Sequence, residues 1–138
     1  MTKALEIDPE FADAHNMAGI ILARAGYLDP AVAHLAKAVE LTPDSLEYRF
    51  NYGRVLAARH SFADAIPQFE KAVEISGGKS AHSLEMLAAM YSEVGRFGDA
   101  ATVARRALEV AISDKDSALA QTMRTRVAYY ESQSELKR

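Results

Sequence analysis

The sequence predicts an all-α fold, a right-handed solenoid of stacked helix pairs closed by one further helix at its C-terminal end. Three observations carry this. The chain matches itself when shifted by 34 residues, and self-similarity at such a period is the mark of stacked supersecondary units. Alanine, the strongest helix former, is abundant throughout. Sustained alternation of apolar and polar residues, which marks a half-buried strand, is missing.

The first shift places Lys3, Ala4, Glu6 and Pro9 on Lys37, Ala38, Glu40 and Pro43. The same shift carries Gly19, Leu22, Ala31, Lys37, Ala38, Val39 and Glu40 onto Gly53, Leu56, Ala65, Lys71, Ala72, Val73 and Glu74. A further step of 35 carries Phe62, Asp64, Ala65, Ala72 and Glu74 onto Phe97, Asp99, Ala100, Ala107 and Glu109. The loop "GGKS", Gly77 to Ser80, can absorb the added residue.

Element by element, residues 1–11 come first. "TKALEIDPE" matches the ends of two later units, "KAVELTP" at Lys37–Pro43 and "KAVEISG" at Lys71–Gly77. It reads as the remnant second helix of a preceding repeat. An isolated helix shorter than about 12–15 residues is marginal. An upstream array is therefore expected, a short natural N-cap being the alternative, and an enzyme, anchor or localisation signal of the parent protein can then lie outside these residues. Ala4, Leu5 and Ile7 would cover only one side of the helix that follows. Burying one leucine or isoleucine is worth about 1.5–3 kcal/mol, so self-association as a two-fold homodimer through the N-terminal end is expected.

Residues 12–45 form the first full unit, with a core stripe of His15, Ala18, Gly19 and Leu22. Gly19 lets the second helix approach closely, and Ala31 is small for the same reason. Gly26 suits the left-handed residue that often ends a helix. Asp29-Pro30 reads as an N-cap followed by proline at the first helical position. Residues 46–80 repeat the plan with Gly53, Leu56 and Ala65, and His60 stands where the left-handed glycine is expected. Pro67, deeper in its helix, predicts a lost hydrogen bond or slight kink. Residues 81–114 supply Leu84, Leu87, Ala88, Tyr91, Gly95, Ala100 and Ala107. Residues 115–138 are expected to be a capping helix and polar tail. Their stripe is Leu119, Met123, Val127 and Tyr130, their outer face Gln121, Arg124, Glu131 and Gln133, and Asp114 or Asp116 the cap.

With these residues in view, Thr2 to Asp114 resembles the tetratricopeptide repeat family, a helix-turn-helix of about 34 residues with small residues at fixed places. His15 stands where that family prefers tryptophan, Ala18-Gly19 for its Leu-Gly, and Leu22 for its tyrosine. Ala31, Leu35, Ala38 and Pro43 complete the first signature. Tyr52, Gly53, Leu56, Ala65, Phe69 and Ala72 give the second, and Leu84, Leu87, Ala88, Tyr91, Ala100 and Ala107 the third. Departures are Gly77 for a proline, Ala88 for a glycine and Ala104 for a large residue.

The resemblance implies a non-catalytic protein–protein interaction scaffold whose first helices line a concave groove for a peptide or protein segment. Helical spacing places Asp13, Asn16, Met17, Ile20 and Arg24 there from the first unit. The second supplies Glu47, Phe50, Asn51, Arg54 and Ala57, and the third His82, Glu85, Met86, Ala89 and Ser92. Phe50 is expected to be the apolar anchor and Arg54 to pair an acidic group; Met17 and Met86 fit the groove and the core equally. One variant of the family clamps the C-terminal carboxylate of heat-shock chaperones with lysine, arginine and asparagine. Of those positions only Asn51 matches, while Asn16, Ile20, His82 and Met86 occupy others, so chaperone-tail binding is not expected.

Composition narrows the alternatives. The chain has 138 residues, 49% of them hydrophobic, and a net charge of -3. That charge argues against nucleic acid, including an RNA-reading helical repeat, which needs a basic groove. The absence of cysteine excludes disulfides, thiolate metal sites and cysteine nucleophiles. No apolar run approaches the ~20 residues of a membrane helix, and no signal peptide is visible. A cytoplasmic location is favoured, and no membrane partner is expected. His15, His34, His60 and His82 lack metal-ligand spacing on any one helix, His15 reading as core and His34 and His60 as surface and turn. "GGKS" lacks the earlier glycine and the strand of a phosphate loop. Neither an enzyme activity nor a cofactor is expected here. A regulatory or substrate-presenting segment of a larger enzyme is the alternative.

Overall fold

The computed structural model describes residues 9–136, which contain seven helices and no strand. They are α1 (Pro9–Arg24), α2 (Leu28–Leu41), α3 (Leu46–Ala58), α4 (Phe62–Ile75), α5 (Ala81–Glu93), α6 (Phe97–Ser113) and α7 (Ser117–Leu136). The segment expected to be a remnant helix lies mostly outside the described residues, and its last residues already belong to α1. The chain divides into two compact units, Met1–Gln68 and Phe69–Arg138, with the division inside α4.

In the first unit, α1 packs along α2, and α2 in turn packs on α3. Gly19 sets the approach of α1 to α2. A methyl group there would lie 2.6 Å from Leu35 Cγ and 3.1 Å from the Ala31 carbonyl oxygen. Ala31 and Leu35 are fully buried and Val55 is buried against them with an edge left open, and Leu22, Leu28, Val32 and Tyr52 close around them. A second cluster joins Ala12, Ala38, Val39 and Tyr48.

In the second unit, α5 packs on α6 and α6 on α7. Phe69, Leu84, Ala88, Ala100, Ala104, Ala107 and Met123 are all fully buried. Tyr91 is buried beside them, and its hydroxyl donates to the Glu70 carboxylate at 2.7 Å. The Arg96 guanidinium lies 4.5 Å from the centre of its ring. Burial, and then the Glu70 hydrogen bond and charge, push its pKa up to about 12, against a smaller opposing pull from Arg96. The C-terminal helix buries Leu119, Ala120, Met123 and Tyr130, with Val127 half-buried. Asp116 caps it by accepting from the Leu119 N–H, whereas Asp114 closes α6.

The turn inside each helix pair has one construction. Gly26, His60 and Gly95 all take positive φ, at 90°, 65° and 82°. In each case the left-handed residue donates to the carbonyl three back, and the next residue donates to the carbonyl five back. This is the Schellman motif, which satisfies carbonyls that a helix end leaves bare. Gly77 and Lys115 close α4 and α6 in the same way.

That motif corrects one expectation. Tyr27 both completes the closing motif of α1 and serves as the N-cap of α2, without a side-chain bond. Helix α2 therefore starts at Leu28, and Asp29 and Pro30 fall inside its first turn. Pro30 loses nothing there, because the first intrahelical bond runs from the Ala31 N–H to the Tyr27 carbonyl. Asp29 instead pairs with Arg59 at 3.1 Å. Pro67 lies within α4, which continues to Ile75, and has no N–H to offer the Ala63 carbonyl.

Candidate functional site

A cavity of about 440 Å³ opens in the first unit, lined by Ile20, Ala23, Arg24, Leu28, Glu47, Asn51, Arg54, Val55 and Ala58. Its walls are α1 and α3, and its floor is the start of α2. Five of the expected groove residues, Ile20, Arg24, Glu47, Asn51 and Arg54, are thus brought together. The apolar surface of Ala23, Leu28, Val55 and Ala58 was not foreseen. Leu28 in particular comes from a second helix, and its place depends on where the Schellman turn starts that helix.

Arg24 and Arg54 are exposed, as is Glu47. The Arg54 guanidinium lies 6.0 Å from the centre of the half-buried Phe50 ring. Phe50 itself is not among the residues lining the cavity. Asn51 is half-buried, and its side-chain amide donates to Asn16 Oδ1 at 3.1 Å. Asn16 is only 2% exposed. The expectation that it lies on the groove surface is therefore corrected: packed between α1 and α3, it holds Asn51 in place. Asp13 is exposed, and its charge acts on the Tyr48 hydroxyl. Burial first, and then the Asp13 and Glu47 charges, raise the Tyr48 pKa. Met17 is 53% exposed, so it does not complete the core.

The remaining expected residues lie on α5 in the second unit. His82 is exposed, while Glu85, Met86 and Ala89 are half-buried. Glu85 accepts from Arg126 of α7 at 2.9 Å and lies 3.5 Å from His82 Nδ1. Its carboxylate is already engaged from within the chain, a partner 41 residues away that no local spacing reveals.

The histidines also differ from expectation. His34 is half-buried rather than a surface residue, and its Nδ1 lies 2.9 Å from His15 Nδ1, one ring nitrogen donating to the other. Phe11 meets the His15 ring edge-on, with centres 4.7 Å apart. Among the described residues no group of three or more histidine, cysteine or acidic side chains could hold a metal ion. No helix of the described residues is long and apolar enough to cross a membrane.

Comparison with known proteins places this geometry. Two family models described as tetratricopeptide repeat match, one over residues 12–45 and the other over residues 44–113. No curated protein matches the chain in sequence. Among solved structures, the TPR2B-domain:pHsp70-complex of yeast Sti1 aligns with a TM-score of 0.80 at 17% identity, covering 90% of this chain and 98% of that one. The type III secretion translocator chaperone SycD of Yersinia enterocolitica aligns with a TM-score of 0.83 at 13% identity, covering 94% and 90%. YrrB, described as a TPR protein with an unusual peptide-binding site, aligns with a TM-score of 0.72 at 24% identity, covering 83% and 57%. The all-α solenoid class expected from the sequence is the fold of this chain.

Proposed function

Because this chain belongs to the tetratricopeptide repeat family, we propose that it is a non-catalytic protein-interaction scaffold which binds an extended peptide or protein segment. The observation that carries the reading is the cavity of the first unit, with its apolar floor and two exposed arginines. Leu28, Val55 and Ile20 offer a site for one aliphatic side chain. Arg24 and Arg54 stand at its rim to pair an adjacent acidic group, and an arginine fork matches a carboxylate in two bonds at once. Asn51, held by Asn16, presents its remaining amide capacity to a peptide backbone. Structures similar in fold include one described as a complex with Hsp70 and one described as having a peptide-binding site. The chaperone tail itself is not proposed, since Ile20, His82 and Met86 stand where that mode needs lysine, arginine or asparagine.

The reading is tested by selecting binders from a random peptide library displayed on phage. Selected peptides should share an aliphatic residue next to an acidic one. Arg54→Glu and Val55→Asp should each weaken them at least about tenfold, and Phe50→Ala should weaken them less. Peptides that bind all three variants unchanged would remove the cavity from the binding surface.

A further inference from the structure

The cavity of the first unit carries opposite charges at its two ends. Glu47, Asn51 and Arg54 follow one another along α3 in steps of four and three, so they share the face of that helix that lines the cavity. Glu47 and Arg54 are two turns apart, about 10 Å along the axis, too far to pair with each other. Helix α1 repeats the same polarity. The Asp13 charge acts on the Tyr48 hydroxyl together with that of Glu47, and Asn16 meets Asn51 one turn further on. The two helices therefore run in the same direction, and the last turn of α1, with Arg24, falls beside the later turns of α3, with Arg54. One end of the cavity is negative through Glu47 and Asp13, and the other is positive through Arg54 and Arg24. Ile20 and Val55 supply apolar surface beside Asn51.

Neither end is neutralised within the described residues. No carboxylate there pairs with Arg24 or Arg54, and no cation pairs with Glu47, whereas Arg59, Arg96, Arg105 and Arg126 each hold a carboxylate. We infer that the occupant of this cavity is a segment of another protein carrying a basic and an acidic residue about three positions apart, with an aliphatic side chain between them. The inference rests on the peptide-binding reading of the cavity and adds Glu47 to it as a specificity-determining residue. An extended segment advances about 3.3 Å per residue, so three positions span the distance from Glu47 to Arg54. The acidic residue of the segment meets the arginines, the aliphatic one meets Ile20 and Val55, and the basic one meets Glu47. A uniformly acidic segment would bring like charge against Glu47 and Asp13, and a uniformly basic one against Arg24 and Arg54. Mixed charge in this spacing is the pattern that both ends accept.

The test uses a random peptide library displayed on phage, selected in parallel on the full chain and on its Glu47→Lys variant, whose helical content is checked by circular dichroism. The first pool should be enriched in a lysine or arginine about three positions from an aspartate or glutamate. The second should keep the aliphatic and acidic residues and lose the basic one. A synthetic peptide from the first pool should bind Glu47→Lys at least about threefold more weakly, the scale of an exposed ion pair lost and replaced by repulsion. Replacing the basic residue of that peptide by glutamate should restore binding to Glu47→Lys and weaken binding to the unaltered chain, a reversal that a purely structural role of Glu47 would not produce. A first pool without basic enrichment, or a peptide whose affinity ignores Glu47→Lys while Arg54→Glu weakens it, overturns this inference and leaves peptide binding in the cavity standing. Peptides indifferent to both variants, or no selected peptide at all, overturn both.

Discussion

Asn16, almost sealed from solvent on α1, accepts a 3.1 Å hydrogen bond from the side-chain amide of Asn51 on α3. The bond links two consecutive first helices directly under the cavity. Removing it with Asn16→Ala should cost about 1–3 kcal/mol, because the acceptor and its packing volume go together. Selected peptides should also bind less tightly, since Asn51 is no longer held. Chemical denaturation and a binding isotherm on the same variant check both. An unchanged isotherm alongside the lowered stability would show that Asn51 does not need its anchor.

Gly19→Ala should destabilise the fold despite the better helix propensity of alanine. The propensity gain is at most about 1 kcal/mol. The new methyl would sit 2.6 Å from the branch carbon of a fully buried Leu35, and such overpacking costs about 1–3 kcal/mol. Leu35→Val should be less harmful in the Gly19→Ala background than alone, a sign that a double-mutant cycle reads directly.

Stability should decline in strong alkali through Tyr91. Its folded pKa is raised from 10.0 to about 12, so the fold favours the neutral phenol. The resulting stabilisation is whole below pH 10 and is withdrawn as pH rises through 12, a loss on the order of 2–3 kcal/mol. Tyr91→Phe should lower neutral stability by about 0.5–1.5 kcal/mol and flatten this alkaline limb. Urea midpoints between pH 8 and 12 are the measurement.

Lys115→Gly should stabilise the chain. Lys115 closes α6 at φ 60°, where a side chain costs roughly 1–2 kcal/mol and glycine none. Glycine gives back part of this through the freer unfolded chain, leaving a gain of about 0.5–1 kcal/mol. Thermal unfolding should show a small rise, and a fall would mean that the lysine side chain is fixed by contacts worth more than the strain.

The helix pairs were legible because they rest on a repeat of small residues: Gly19, Gly53 and Ala88, all buried, recur at one place in it, and nothing outside the repeat is needed to see them. The left-handed corners were legible for the same reason. The site was only partly so. Asn16 falls on the boundary between the core stripe and the groove stripe, and the neighbouring α3 decides its burial. His15 and His34 are on different helices, so no spacing within one helix could pair them. Phe50 sits at a groove position in the repeat, yet the cavity takes its apolar surface from Leu28 and Val55. Asp29 carried the commonest cap chemistry but arrives too late, because the turn at Gly26 has already fixed the start of α2.

The corners at Gly26, His60 and Gly95 share one set of backbone bonds and depend on side-chain chemistry at hardly more than a single position. A duplicated stretch of gene could therefore lengthen or shorten such a chain by whole helix pairs without inventing a new bend each time. The joints between pairs are less interchangeable: Thr42–Ser45, with its proline, is made differently from the glycine joint at Gly77–Gly78. Divergence after copying is free to collect at those joints, where lengths can vary, while the bends within each pair stay fixed.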